Sequence, residues 1–239
     1  MKKQALYLLP GTMCDQRLWQ PMAKALEKLA PNVYQLHYLT IARLDTIDGI
    51  MQDIKRKIGH SHHNMRATNS SQSSTTNVPS ALIGFSLGGY LATEFTLQYP
   101  QLVKKLMLVA NMSGTLPEKE LKERKRTIDW LKHHGYNGIP LKRMHALLDE
   151  SARSKLKLIE TIKSMDADLG QETLIHQLEV TTKRHDLLPA IVASPIPTHF
   201  CIGDSDCLVD REKVSRYCEA SEYACLLYTS PSPRDRTRS

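Results

Sequence analysis

The chain has 239 residues, 41% of them hydrophobic and 24% charged, with a formal net charge of +7. That balance suits one soluble globular domain with a sizeable core and excludes a disordered or collagen-like chain. No apolar run approaches the roughly 18 residues that span a bilayer, which argues against a membrane partner. The five cysteines show no C-x-x-C spacing, and Pro10-Gly11 interrupts the apolar N-terminal stretch before any cleavage site. An odd cysteine count without a secretion signal points to reduced thiols and a cytoplasmic protein. Much of the positive excess lies in residues 118–163, where twelve Lys/Arg stand against seven Asp/Glu. The acids are interleaved and no aromatic platform accompanies the cations, so a solvated helical face is expected rather than a nucleic-acid surface.

Residues 5–9 predict a buried strand, followed by a loop over 10–15. Cys14 in that loop is expected to act as a small, partly buried hydrophobe. Pro21 suits the first turn of a helix carrying Met22, Ala25, Leu26 and Leu29. Residues 33–39 alternate as a second strand. Thr46 can cap a helix with Ile47, Ile50, Met51, Ile54 and Ile58 on one face. Residues 59–80 are rich in Ser, Thr, Asn and His, and are expected to form a flexible polar insertion. His60, His62 and His63 lack an acidic or cysteine partner nearby, so no metal site is expected there.

Residues 81–85 predict a third strand, and Leu87, Leu91 and Phe95 recur at helical spacing up to Pro100. Between them stands Gly84-Phe85-Ser86-Leu87-Gly88-Gly89. A strand turning into a helix at a serine flanked by glycines is a nucleophile elbow. The tight turn strains the serine and leaves no room for side chains at Gly84 and Gly88. The helix N-terminus beneath it offers N–H groups to a developing oxyanion. Residues 106–110 predict a fourth strand, so the spacing implies βαβ units and a parallel sheet. Residues 117–185 show no strand pattern; apolar spacings centred on 128–131, 141–148, 156–162 and 174–178 predict four helices. Residues 197–202 return to the sheet, 203–206 end that strand, and 211–220 predict a helix.

This order of parts resembles the α/β-hydrolase family over roughly residues 4 to 222. The resemblance implies a mostly parallel sheet flanked by helices with a helical cap. Residues 1–110 would form the first part of the core, 111–185 the cap, and 186–224 the second part of the core. It further implies that Ser86 is the nucleophile. The N–H groups of Thr12 and Leu87 would form the oxyanion hole, with Pro10 standing where the family often has histidine. Asp206 would be the acid in a G-x-x-D pattern opened by Gly203; Asp204 and Asp210 are weaker candidates, and an Asx turn is the structural alternative for Asp206. The implied chemistry is acyl transfer on a small ester, thioester or amide, with a small-molecule substrate and neither metal nor organic cofactor. Within the family the chain is similar to small hydrolases near the menaquinone-pathway synthase that makes succinyl-hydroxycyclohexadiene-carboxylate. A lyase or synthase on an anionic substrate is therefore a second reading, with Arg124, Arg126 and Arg143 as the cap residues that would hold the anion. A non-catalytic binding protein is a third.

The family's triad runs Ser, Asp, His, and no histidine follows His199. Residues 225–239 resemble the in-frame translation of a sequencing adapter. The expectation is that the sheet pattern stops near Ala224, before a last strand, the catalytic histidine and a closing helix, and that these 239 residues lack their base.

Overall fold

A computed structural model describes residues 3–67, 80–204, 206 and 208–229, of which 60–67 and Thr229 are described by backbone only. β1 (Gln4–Leu9) pairs in parallel with β2 (Tyr34–Tyr38) on one side and with β3 (Ser80–Phe85) on the other. β4 (Val103–Val109), β5 (Thr198–Gly203) and β6 (Ala224–Thr229) extend the sheet outward from β3, all parallel. The strand order is β2-β1-β3-β4-β5-β6. The chain lays β2 to one side of β1 and then crosses back to lay β3 on the other. In open parallel sheets such a reversal opens a crevice at the carboxyl ends of the two strands.

Both faces of the sheet are covered. Tyr7 and Leu9 of β1 enter a large core with Leu82, Leu106, Leu108, Phe200 and Ile202. The alternate residues Leu6 and Leu8 enter a smaller core with Trp19 and Ile83, as the period-two pleat requires. α1 (Gln20–Leu29), with Pro21 in its first turn, supplies Met22 and Leu26 to the smaller core. α2 (Ile47–Ala67) starts where Thr46 Oγ1 accepts the Gly49 N–H at 3.0 Å, and it buries Ile50, Met51, Ile54 and Ile58. α3 (Leu87–Gln98) is buried along most of its length. Leu87, Leu91 and Phe95 are at most 2% exposed, and burial of each such side chain stabilises the fold by about 1.5–3 kcal/mol. α3 ends before Pro100, as expected.

The helical stretch between β4 and β5 contains α4 (Glu118–His134), α5 (Leu141–Ala146) and α6 (Leu156–Val180). The third and fourth expected helices are one element, kinked at Gly170, whose φ is 72°. α7 (Leu188–Ala193), which the sequence reading left out, follows and buries Leu188, Ile191 and Val192. α8 (Arg211–Glu219) then leads to β6.

Two expectations need correction. The polar insertion does not begin at Gly59: α2 runs on to Ala67, because backbone hydrogen bonds continue a helix after its apolar stripe ends. Residues 68–79 lie outside the described residues. The sheet also does not stop at Ala224. Residues 224–229 form β6, whose register runs from Thr198↔Ala224 to Gly203↔Thr229. Ala-Cys-Leu-Leu-Tyr-Thr is apolar and rich in strand-favouring residues, which suffices to extend an open sheet edge. Residues 230–239 lie outside the described residues.

Candidate active site

Four loops leave the carboxyl ends of β1, β3, β4 and β5, and each carries a residue of interest. Ser86 follows β3 and is the N-cap of α3, with φ 50° and ψ −116°. Its N–H donates to Val109 O at 2.9 Å, and its carbonyl accepts the N–H groups of Gly89 and Tyr90. The same carbonyl accepts Asn111 Nδ2 at 2.9 Å, while Asn111 Oδ1 accepts the N–H and hydroxyl of Ser113. Ser113 Oγ in turn bonds Thr93 Oγ1 on α3. A non-glycine residue in this backbone region costs about 1–3 kcal/mol, and it persists because these bonds over-determine it. Asn111 and Ser113 lie in a loop that carried no motif, so their support of Ser86 was missed in the sequence.

The flanking glycines are required by contact. A Cβ on Gly84 would lie 2.3 Å from Gly88 O, and one on Gly88 would lie 2.3 Å from both Leu9 O and Pro10 O. The first turn of α3 therefore packs backbone to backbone on the loop after β1. That juxtaposition sets the loop after β1 against the turn between β3 and α3, at the point where the strand order reverses. Leu87 lies in the first turn of α3, where N–H groups precede the intrahelical ladder. Among the described residues the Ser86 hydroxyl has no hydrogen-bond partner.

The loop after β1 is held from the cap side. Met13, at φ 54°, donates its N–H to Gln177 Oε1 on α6 at 3.0 Å, and Gln177 is 3% exposed. Arg17 bridges Asp15 to Asp168 on α6 and also donates to Ser164. Those hydrogen bonds hold the Asp15 carboxyl below its ordinary value. Cys14 lies between these contacts, and burial pushes its thiol up to about 12. It is partly buried and its Sγ donates to Thr12 O, an environment that disfavours the thiolate.

Asp206 follows β5. Its N–H donates to Gly203 O at 3.0 Å, and its Oδ1 accepts Leu208 N–H at 2.9 Å, an Asx-type turn. Asp204 is ion-paired with Arg211 at 3.3 Å, and Asp210 caps α8 by accepting Lys213 N–H. Each of the three aspartates is engaged through Oδ1, by the Leu208 N–H at Asp206, by Arg211 at Asp204 and by the Lys213 N–H at Asp210, so these contacts do not single out one of them as the acid.

Among the histidines whose side chains are described, none is hydrogen-bonded to Ser86 or Asp206. His133 and His134 bond carbonyls of their own helix, and His176 Nε2 bonds Leu44 O. His37 stacks on Tyr7, and His199 sits on β5 before the acid. The described residues contain no cluster of His, Cys, Asp and Glu suited to a metal. No helix among them is long and apolar enough to cross a membrane.

Of the cap arginines, Arg124 is half-buried and fully engaged. Its Nε and Nη2 donate to Glu120 Oε1 at 3.1 and 3.0 Å, and its Nη1 donates to Thr181. Arg126 and Arg143 are exposed. A cavity of about 740 Å³ opens between α4, the C-terminal end of α6 and the loop after β4, and Arg184 and His185 line it. Ser86, Thr12 and Asp206 are not in its lining.

The model of the α/β hydrolase fold matches residues 74–161 of this chain. No curated protein matches the sequence. Among solved structures, a thermophilic esterase from Thermogutta terrifontis is 19% identical, with a TM-score of 0.74 over 95% of this chain and 81% of that one. An enol-lactonase from Burkholderia xenovorans is 13% identical, with a TM-score of 0.70 over 99% and 88%. A carboxylesterase structure from Nitrososphaera gargenis is 15% identical, with a TM-score of 0.66 over 98% and 87%.

Proposed function

The chain has the α/β-hydrolase fold, and on that premise we propose that it is a serine hydrolase acting on a small ester, thioester or amide. The observation that carries this reading is the strained Ser86, at φ 50° between β3 and α3, with no described partner for its hydroxyl. In the proposed reaction Ser86 Oγ bonds to the carbonyl carbon and gives up its proton to a base. The carbonyl oxygen becomes an oxyanion, which the N–H groups of Thr12 and Leu87 stabilise. The tetrahedral intermediate collapses to an acyl-serine and expels the protonated leaving group. Water then attacks the acyl carbon, releasing the acid and restoring the Ser86 hydroxyl. Asp206 would orient and stabilise a protonated histidine base. The esterases and the lactonase of the same fold support a carboxylic ester or lactone as the substrate class.

No histidine follows His199, and none whose side chain is described hydrogen-bonds Ser86, so these 239 residues are expected to transfer acyl groups slowly. The test is incubation with p-nitrophenyl acetate, with and without added imidazole, followed by mass spectrometry. An acetyl group on Ser86 is expected, accumulating faster with imidazole and absent in Ser86→Ala. Acetylation spread over other serines, or unchanged in Ser86→Ala, would overturn the reading in favour of a non-catalytic binding protein.

A lyase or synthase on an anionic substrate is the second reading, and the observation that favours it is the pair of part-buried cations in the cap, Arg124 and Arg184, which face one carboxylate, Glu120.

A further inference from the structure

Arg184 is held in one orientation and left incomplete. Its Nε donates to Thr181 O at 2.9 Å. Its guanidinium carbon lies 4.8 Å from the ring centroid of Tyr90, which is fully buried on α3. The Tyr90 hydroxyl accepts the His185 N–H at 3.1 Å, which fixes the neighbouring backbone. A guanidinium held over an aromatic face and bonded through Nε is restrained, and its two terminal nitrogens remain to act as a fork. Among the described residues neither Nη1 nor Nη2 of Arg184 has an acceptor, and no carboxylate lies within ion-pair distance. Glu120, the acid within electrostatic reach, is engaged by Arg124.

Burial and the neighbouring charge of Arg124 push Arg184 down to about 10, which leaves it a cation at neutral pH. It lines the 740 Å³ cavity, a volume within the range of small-molecule pockets. Lys125 and Lys183 in the lining offset Asp129 and Glu179, so Arg184 decides the sign of the site. Leu116, Leu121 and Ile128 supply apolar wall. A carboxylate matches the guanidinium fork with two parallel hydrogen bonds, and an apolar body attached to it would cover the leucine and isoleucine side chains.

We propose that Arg184 anchors a binding site for an organic carboxylate with an apolar body, seated in the cavity between α4 and the end of α6. The inference goes beyond the Ser86 reading and does not depend on it, because it concerns binding and not turnover. The experiment is isothermal calorimetry of the full chain with octanoate, octanol and inorganic phosphate. Octanoate should bind saturably, and octanol about tenfold or more weaker, since it lacks the charge-assisted bonds. Arg184→Gln should weaken octanoate by about tenfold or more, and Lys104→Gln, exposed at the amino end of β4 and outside the cavity lining, should leave it unchanged. A second measurement needs no variant: octanoate should protect Arg184 of the wild-type chain from phenylglyoxal, read by mass spectrometry. The proposal is overturned by equal binding of octanol and octanoate, by equally tight binding of phosphate, by undiminished binding in a folded Arg184→Gln chain, or by absence of saturable binding or protection. Loss of Ser86 acetylation with octanoate binding intact would sink the hydrolase reading alone.

Discussion

The elbow and the cap are held by different forces. Around Ser86 the backbone is strained at Met13, Ser86, Ala110 and Ser113, all with positive φ and all just beyond strand ends. That strain is contained by backbone-to-backbone packing at Gly84 and Gly88 and by the buried hydrogen bonds of Asn111, Ser113 and Thr93. The cap instead leaves Trp130, Leu141, Leu147 and Leu156 exposed. Most of its charged contacts sit at the surface, such as Arg43–Glu172 and Lys132–Glu179. Surface ion pairs of this kind are worth about 0–1 kcal/mol each and weaken with salt. The comparison teaches that position in the elbow is enforced by steric exclusion, whereas position in the cap is a balance of small terms. The exception is the junction, where Gln177 on α6 reaches the loop after β1 through a buried bond.

Three variants sharpen or break that contrast. Gly88→Ala carries the largest expected effect. A methyl 2.3 Å from two carbonyl oxygens cannot be relieved by a rotamer change, so a loss of about 3 kcal/mol or more, or no folding, is expected in urea unfolding. A Gly88→Ala chain with wild-type stability would mean that the elbow is as soft as the cap. Gln177→Ala comes next, because it leaves the Met13 N–H buried without a partner, for about 1–3 kcal/mol. Its loss should also raise hydrogen exchange at Met13, which a purely cap-confined role would not do. Glu172→Ala is the smallest. Glu172 is 84% exposed in its side chain, so a change within about 0.5 kcal/mol is expected in the same unfolding experiment. A change above 1 kcal/mol would show that surface pairs carry the cap.

Much of the elbow was legible in the sequence because its demands are local. Gly84, Ser86, Gly88 and Pro100 act on their own backbone or on immediate neighbours, and the strand and helix flanks follow from periodicity over a few residues. The loop of Thr12 was legible for the same reason. The cap was legible only as helices. Which arginine is half-buried depends on partners far along the chain: Arg124 meets Thr181, and Arg184 meets Tyr90. No local signal separates Arg184 from Arg126, so the sequence pointed to the exposed Arg126 and Arg143 beside the half-buried Arg124, and not to Arg184. The length of α2 escaped for a different reason, since its last turns carry no apolar stripe to read. β6 escaped because an apolar hexapeptide is defined as a strand only by the edge that receives it.

The parallel sheet has a further practical meaning. Every loop argued to carry the Ser86 chemistry leaves the carboxyl end of a strand, while the turn at Pro31 and Asn32 leads into the amino end of β2 and is exposed. Pro31 is therefore a place to anchor the molecule to a bead or an electrode. A cysteine installed there, with the exposed Cys225 replaced by serine, would hold the protein by its back, with the elbow turned to the solution.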